Sequence, residues 1–441
     1  MSAAFPGDRL PLLLVRGVRA VDPSAELDAE VDVVVEAGRI ARIGRGAITE
    51  ELARAEGALV IDGGGKLLLP AFVDLHAHMR EPGEEYKEDI ESGLRAAAHG
   101  GFAHVCAMPN TKPVNDKRSI TEAMLARARE VGGPTLHAIG AITVGQAGKE
   151  LTEVADLKDA GAVGISDDGR CVMNAALMRR ALQYAETFDL PVIQHAEDHD
   201  LTEGADMHEG RVSTELGLRG WPAVAEDIIV ARDLLLAEAT RARYHVAHLS
   251  TRGAVRLVRD AKDRGIRVSA EVTPHHLLLT HDAVLGYRTA CKVNPPLREQ
   301  EDVDALVAAL ADGTIDAIAT DHAPHSSLEK DCEFSEARPG LIGLELAMSL
   351  LFGLVRAGKV PLARLVDALT RAPARVIGIE APTLREGRVA ELTLFDPERP
   401  FLVEGLASKS RNTPYLGQTL AGRVLLTTAR GVLVHHLATP G

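Results

Sequence analysis

The sequence predicts an α/β chain: a TIM-type (β/α)8 barrel flanked by a small composite β-sandwich made from the N- and C-terminal segments. Three observations predict it. From about residue 67, short apolar runs alternate with longer amphipathic stretches, and eight such runs can be counted. Strand–helix alternation requires parallel pairing, which in eight units closes a barrel. Many of the runs end in His, Asp or Asn, as the C-terminal rim of a barrel carrying a site would. Finally, β signals return at both ends of the chain in pieces each too small to bury a core. A doubly wound open sheet is the alternative, and the count and the polar strand ends favour the barrel.

The elements follow in order. Residues 1–66 form the N-terminal part of the sandwich, with strands at 12–15, 31–36 and 40–43 and a hairpin signal at Ala37-Gly38-Arg39. Residues 67–380 form the barrel, with strands at 71–75, 104–108, 135–140, 162–166, 191–195, 244–248, 267–271 and 316–321. Helices are expected at 84–99, 116–131 and 250–264, the last two opening on the capping residues Asp116 and Ser250. Glycines at 100–101, 132–133 and 265 stop them. Two more helices lie near 343–357 and 362–369. Residues 381–441 complete the sandwich with strands at 392–395, 424–428 and 432–435. The alternative there is a separate C-terminal β domain.

Bulk properties exclude several classes of function. Hydrophobic content of 46% and charged content of 25% are those of a soluble globular protein, and 3% aromatics imply an aliphatic core. A net charge of −14 argues against a nucleic-acid binder, though one local arginine can still hold an anionic small molecule. No apolar stretch reaches the roughly 18 residues of a membrane span. No signal-peptide pattern opens the chain, since Pro6, Gly7, Asp8 and Arg9 interrupt any apolar run. Cys106, Cys171, Cys291 and Cys332 form no CxxC pair and read as reduced thiols of a cytoplasmic protein.

Histidine is the unusual count, 17 residues with several in tight clusters. On a strand, His76 and His78 share a face and lie roughly 7 Å apart, which suits two imidazoles on one metal ion. Other expected strand ends carry Asn110, Asp167-Asp168, His195, His248 and Asp321. Each has an innocent reading alone: Asp-Asp-Gly is usually a turn, and a strand-end histidine is usually a bonded wall residue. Their joint appearance on one rim points to a metal. His76, His78, His195, His248, Asp168 and Asp321 offer four nitrogen and two carboxylate ligands, a set that suits zinc. A carboxylate can bridge two ions and leave a water between them, activated near neutral pH. Asp321 can take that water's proton and pass it to a leaving nitrogen. The chemistry read from the residues is metal-assisted hydrolysis or its reverse.

The run Asp74-Leu75-His76-Ala77-His78, the later strand-end histidines and Asp321 resemble the amidohydrolase superfamily. More narrowly, the stretches 78–83 (HMREPG), 108–111 (MPNT), 294–297 (NPPL) and 319–325 (ATDHAPH) resemble the bacterial class I dihydroorotases over nearly the whole chain. The resemblance implies one or two zinc ions on the six ligands, with Asp168 bridging. Neighbouring strand residues face opposite ways, so only one of Asp167 and Asp168 should serve. Many superfamily members carry a carbamylated lysine on strand 4. Here the nearest upstream lysine is Lys158, in the preceding helix, which fits the aspartate-bridged class.

By the same resemblance, Arg80, Asn110 and Asn294 hold the substrate, with His325 assisting and Pro339 and Gly340 in the loop against the pyrimidine edge. A guanidinium matches a carboxylate bidentately; otherwise Arg80 is a rim arginine paired with Glu81 or Glu84. Pro339-Gly340 is otherwise an ordinary turn. His275 and His276 are expected to be structural, and His435-His436 carries no ligand role. The implied activity is the reversible cyclisation of N-carbamoyl-L-aspartate to L-dihydroorotate, a step of pyrimidine (UMP) synthesis. An allantoinase or hydantoinase, and a non-catalytic scaffold for a transcarbamoylase, are the rivals. A homo-oligomer is expected, and the resemblance leaves open an association with an aspartate transcarbamoylase.

Overall fold

A computed structural model describes Phe5 and residues 12–437. Five strands open the chain: β1 (Leu12–Asp22), β2 (Leu27–Glu36), β3 (Arg39–Gly44), β4 (Ala58–Asp62) and β5 (Leu67–Pro70). The barrel strands begin with β6 (Phe72–Ala77), β7 (Phe102–Ala107), β8 (Thr135–Gly140), β9 (Ala162–Ile165) and β10 (Val192–Gln194). A two-stranded ribbon, β11 (Met207–His208) with β12 (Gly220–Trp221), interrupts them. The barrel resumes with β13 (Tyr244–Val246), β14 (Val268–Val272) and β15 (Ala317–Ile318). The chain closes with β16 (Leu392–Leu402), β17 (Thr419–Ala429) and β18 (Val432–His436).

Strands β6 to β10 and β13 to β15 lie side by side in chain order and pair in parallel. The ends of the series meet where Ala77 bridges His322 and the His78 N–H donates to the His322 carbonyl at 2.8 Å. All eight expected strands are present, one of them, 135–140, with the expected bounds. Val73, Leu75, Cys106, Ile139, Ile193 and Ala317 come from five strands yet pack together, as residues inside a barrel do. Ala374, Val376 and Ile377 of the helix Arg371–Ile377 join this cluster. Parallel strands covered on both faces must be apolar on both, which is why they read as runs without alternation.

The terminal strands form one sheet in the order β18-β17-β16-β5-β1-β2-β3, with β4 also paired to β1. The join between the two ends of the chain is the antiparallel pair β5–β16, with Leu68 opposite Leu394. Leu13, Val15, Val33, Leu68, Leu392 and Leu426 form its apolar core. β1, β2, β16 and β17 are all longer than the sequence patterns suggested, and β4 and β5 lay outside those patterns.

Three helix starts differ from expectation, one for a local reason and two because a tertiary partner takes the expected cap. The helix expected from residue 84 is Ile90–Gly100, because Asp89 and Ser92 form a reciprocal capping box there. Asp116 does not cap the helix Arg118–Val131; its carboxylate accepts from the Gly145 N–H at 2.8 Å. Thr251, not Ser250, caps Arg252–Asp263, since the Ser250 hydroxyl is committed to Glu226.

Gly101 is the tightest joint between barrel and sheet. Its φ of +92° ends the helix, and a Cβ there would stand 2.8 Å from the Phe72 ring and 2.7 Å from Thr393 Cγ2. Gly101→Ala should therefore cost about 1–3 kcal/mol, combining a left-handed backbone with overpacking. A clear fall in the urea midpoint at unchanged slope is the expected result; an unchanged midpoint would show that the joint is loose.

Candidate metal centre and active site

The barrel rim presents its polar side chains through unusual backbone. Arg80, His248 and Asp321 sit at φ +59°, +32° and +44°, a left-handed region that costs a non-glycine residue on the order of 1 kcal/mol or more. Buried carboxylates hold the turn at Asp321. Asp74 accepts from the Thr320 N–H and hydroxyl, both at 2.7 Å, and burial pushes its carboxyl up to about 7. Glu88 accepts from His322 Nε2 at 3.2 Å and from the Ser408 hydroxyl. Asp321 is thus clamped by neighbours on each side.

The six expected ligands converge. Asp168 Oδ1 lies 3.2 Å from His76 Nε2 and 3.7 Å from both His195 Nδ1 and His248 Nε2. Its Oδ2 lies 3.7 Å from His78 Nε2. Asp321 Oδ1 lies 3.2 Å from His78 Nε2 and 3.7 Å from His76 Nε2. His195 Nδ1 and His248 Nε2 are 3.0 Å apart. Two overlapping groups emerge, His76 with Asp168 and His248, and His76 with His78 and Asp321. Asp167 faces away, accepting from the Ile142 and Thr143 N–H groups and the Thr143 hydroxyl, so only Asp168 reaches the centre.

The far nitrogen of three of these imidazoles is fixed by a partner. Glu271 Oε1 accepts from His76 Nδ1 at 3.1 Å, Asn110 Oδ1 from His78 Nδ1 at 2.9 Å and Glu197 Oε2 from His195 Nε2 at 2.9 Å. Such partners turn the other nitrogen toward the centre as a lone pair. Glu271 and Glu197 escaped the sequence reading. Glu271 is fully buried between His76 and His245, whose Nε2 donates to it at 3.1 Å. Burial alone would raise its carboxyl, but the two imidazoles bring it down to about 2.

The cluster fits a metal ion. His76 Nε2 and Asp168 Oδ1 are buried and neither makes a hydrogen bond; at 3.2 Å they are close without being aligned. Burial opposes charge on His76 and His195, yet the surrounding carboxylates raise His76 well above the imidazole range and His195 to about 10. Burial likewise opposes ionisation of Asp168 and Asp321, which the imidazoles hold well below the carboxylate range. A site that would draw protons onto its imidazoles favours a divalent cation, which satisfies the same lone pairs. A third group, His208 with His281 and Glu299, lies beside the buried guanidinium of Arg298, whose Nη1 donates to His208 Nδ1 at 3.2 Å. A cation there would face a fixed positive charge.

A cavity of about 440 Å³ opens above the cluster. His78, Asp168, His195, His248 and Asp321 line it, with His76 buried beneath. Arg80, Asn110, Asn294, His325, Pro339 and Gly340 line it too, so the six expected substrate residues share one chamber. Arg80 Nε donates to the Pro324 carbonyl at 3.1 Å, and Nη2 lies 3.4 Å from His325 Nε2. It pairs with neither suggested carboxylate: Glu84 binds Lys87 and Lys112, and Glu81 binds Arg127 and the Ile90 N–H.

Asn110 Nδ2 donates to Asp168 Oδ2 at 3.0 Å, and Asn294 Oδ1 is buried without a partner. His325 Nε2 lies 2.9 Å from Pro339 O; burial and the cations Arg80, Lys87 and Lys330 keep its imidazole neutral. The Gly340 N–H donates to Lys292 O at 2.8 Å. His276 is structural, bonded to Thr273 and Pro295 O, whereas His275 is buried with both ring nitrogens unpaired. His435 packs on His99, away from the rim. Among the described residues no helix is long and apolar enough to cross a membrane.

Comparison with known proteins agrees with this geometry. Residues 65–254 match the model of the dihydro-orotase-like family. A dihydroorotase of Pelobacter propionicus is 50% identical over 96% of this chain and 99% of its own length. One of Anaeromyxobacter dehalogenans is 51% identical over 96% of this chain and 98% of its own. The L-hydantoinase (dihydropyrimidinase) of Arthrobacter aurescens superposes with a TM-score of 0.85 at 24% identity, covering 97% of this chain and 96% of that one, a likeness of fold. With half its residues shared over nearly the full length of such relatives, the chain belongs to the dihydroorotase family of the amidohydrolase superfamily.

Proposed function

We propose that this chain is a zinc-dependent dihydroorotase, closing N-carbamoyl-L-aspartate to L-dihydroorotate and opening it again. The observation that carries the reading is Arg80. Its buried guanidinium faces the cavity beside the candidate metal cluster with no Asp or Glu within 4.0 Å among the described residues. A buried, unpaired cation calls for an anionic partner, and a ring bearing a carboxylate supplies one. The full-length relatives named dihydroorotase support the same substrate. The hydantoinase likeness supports the fold, and those names alone give no reason for a free arginine. The same reading takes 67–380 as the catalytic barrel and 1–66 with 381–441 as the flanking unit.

One or two zinc ions would be held by His76, His78, Asp168, His195, His248 and Asp321, with Asp168 shared. When bound, zinc supplies Lewis acidity toward an amide carbonyl and a nucleophilic water near neutral pH. The chain's own groups do the rest. Arg80 takes the substrate carboxylate through paired N–H donors, while Asn294 Oδ1 offers an acceptor to a ring N–H. Asn110 steadies His78 and Asp168 together, and neutral His325 backs Arg80. In the hydrolytic direction the ring C–N bond breaks as water oxygen joins the carbonyl carbon. Asp321 accepts a proton from the water and returns it to the departing nitrogen; cyclisation runs the same transfers backward.

Two outcomes test this. Arg80→Met should raise KM for dihydroorotate by roughly ten- to a hundredfold, the weight of a lost charge-assisted pair of about 1.5–3 kcal/mol, at unchanged zinc content. Steady-state kinetics with an unaltered KM would remove the carboxylate role. Asp321→Asn should keep the fold by circular dichroism while turnover falls by at least about a hundredfold. Near-normal turnover would exclude Asp321 as the proton carrier.

A further inference from the structure

The connection between β16 and β17 does not turn back at once as a hairpin would. Residues 403–418 leave the flanking sheet and run along the loops at the barrel rim. Every few residues the run is fastened to barrel loops. Val403 and Leu406 pack against Ile342 and Leu346. The Ala407 and Ser408 N–H groups donate to Glu345, at 2.8 Å and 3.1 Å, and the Lys409 N–H donates to Glu88 at 3.1 Å. The Ser410 hydroxyl donates to the Lys87 carbonyl at 2.7 Å. The run then delivers Asn412, buried at 6% exposure, between two segments that line the active cavity.

Asn412 spends its carboxamide on those two segments. Its Oδ1 accepts from the His325 N–H at 3.1 Å. Its Nδ2 donates to the Ala323 carbonyl at 2.9 Å and to the Gly340 carbonyl at 3.1 Å. Its own carbonyl accepts from the Ile342 N–H at 3.0 Å. The Gly340 carbonyl is gripped a second time by the buried Lys330 Nζ at 3.1 Å, which also donates to Arg338 O at 2.8 Å. Gly340 has φ +131°, and a Cβ there would stand 2.6 Å from Ala323 Cβ, so the two segments already touch. The strand-8 loop carrying His325 and the loop carrying Pro339 and Gly340 also meet directly, where the Ala323 N–H donates to the Leu341 carbonyl at 2.8 Å; the one carboxamide ties both to the β16–β17 connection.

We infer that Asn412 is a positioning residue for substrate recognition: through it the flanking sheet holds the His325 and Pro339–Gly340 walls in register around the ring. The inference rests on the dihydroorotase reading only for the identity of the ring. Asn412 touches no candidate metal ligand by hydrogen bond, so its loss acts on binding of the ring and not on the reacting centre. Asparagine is required by the bond pattern, one acceptor and two donors on one planar group. Aspartate has the same shape but would set a carboxylate oxygen against two carbonyl oxygens.

The test compares Asn412→Ala and Asn412→Asp with the full-length, zinc-loaded parent. Hydrogen–deuterium exchange should quicken in peptides covering 322–326 and 338–342 in both variants and stay unchanged in the other barrel strands. KM for dihydroorotate should rise about tenfold or more, with kcat within about threefold and zinc content unaltered. The aspartate variant should be at least as impaired as alanine, which a space-filling role would not produce. Unchanged exchange in both segments, a uniform rise over the whole chain, or an aspartate variant with parental KM would each overturn the inference. If the parent itself turns over no dihydroorotate, the proposed substrate fails, while the exchange result still decides the role of Asn412.

Discussion

Two buried atoms that no hydrogen bond satisfies, His76 Nε2 and Asp168 Oδ1, stand 3.2 Å apart at the top of the barrel. Leaving such atoms without a partner is costly in a protein interior. The surroundings make the cost deliberate. Glu271, Asn110 and Glu197 each take the outward nitrogen of one imidazole, so His76, His78 and His195 can only present their other nitrogen inward. Asp74 and Glu88 hold the strand-8 turn that aims Asp321, and the backbone there adopts a conformation that a free chain would avoid. Remove the cation and these groups repel or compete for protons; supply it and each has a partner.

The barrel and its six-ligand rim were legible because both write themselves into short sequence windows. Apolar runs separated by helical stretches give the strand count, and His and Asp recurring at the ends of several such runs point jointly to one rim. What stayed hidden is long-range. Glu271 lies within an expected strand and becomes meaningful only because β14 places it behind His76, 195 residues earlier in the chain. Glu197 stands two residues after His195, but nothing in the local sequence shows that it orients that ring. Asn412 lies in a stretch with no motif, and its side chain's partners are 72 to 89 residues away. Helix caps fall one residue beyond Asp116 and Ser250 because tertiary partners, Gly145 and Glu226, claim those side chains. Local pattern names the candidate ligands; only the fold names what aims them.

The flanking sheet has a second part to play. Chain ends that could not bury a core separately join at β5–β16 and pack against the barrel through Gly101, Phe72 and Thr393. From that base the β16–β17 connection reaches the active cavity. One continuous stretch of backbone thus joins the sheet to the loops that line the cavity.

Anomalous diffraction at the zinc edge, on crystals of zinc-loaded protein, decides whether His76, His78, Asp168, His195, His248 and Asp321 form the metal centre. One or two peaks are expected within bonding distance of His76 Nε2 and the Asp168 carboxylate, below the cavity lined by Arg80. Zinc confined to His208, His281 and Glu299, or absent from the six-residue cluster at full loading, would contradict it.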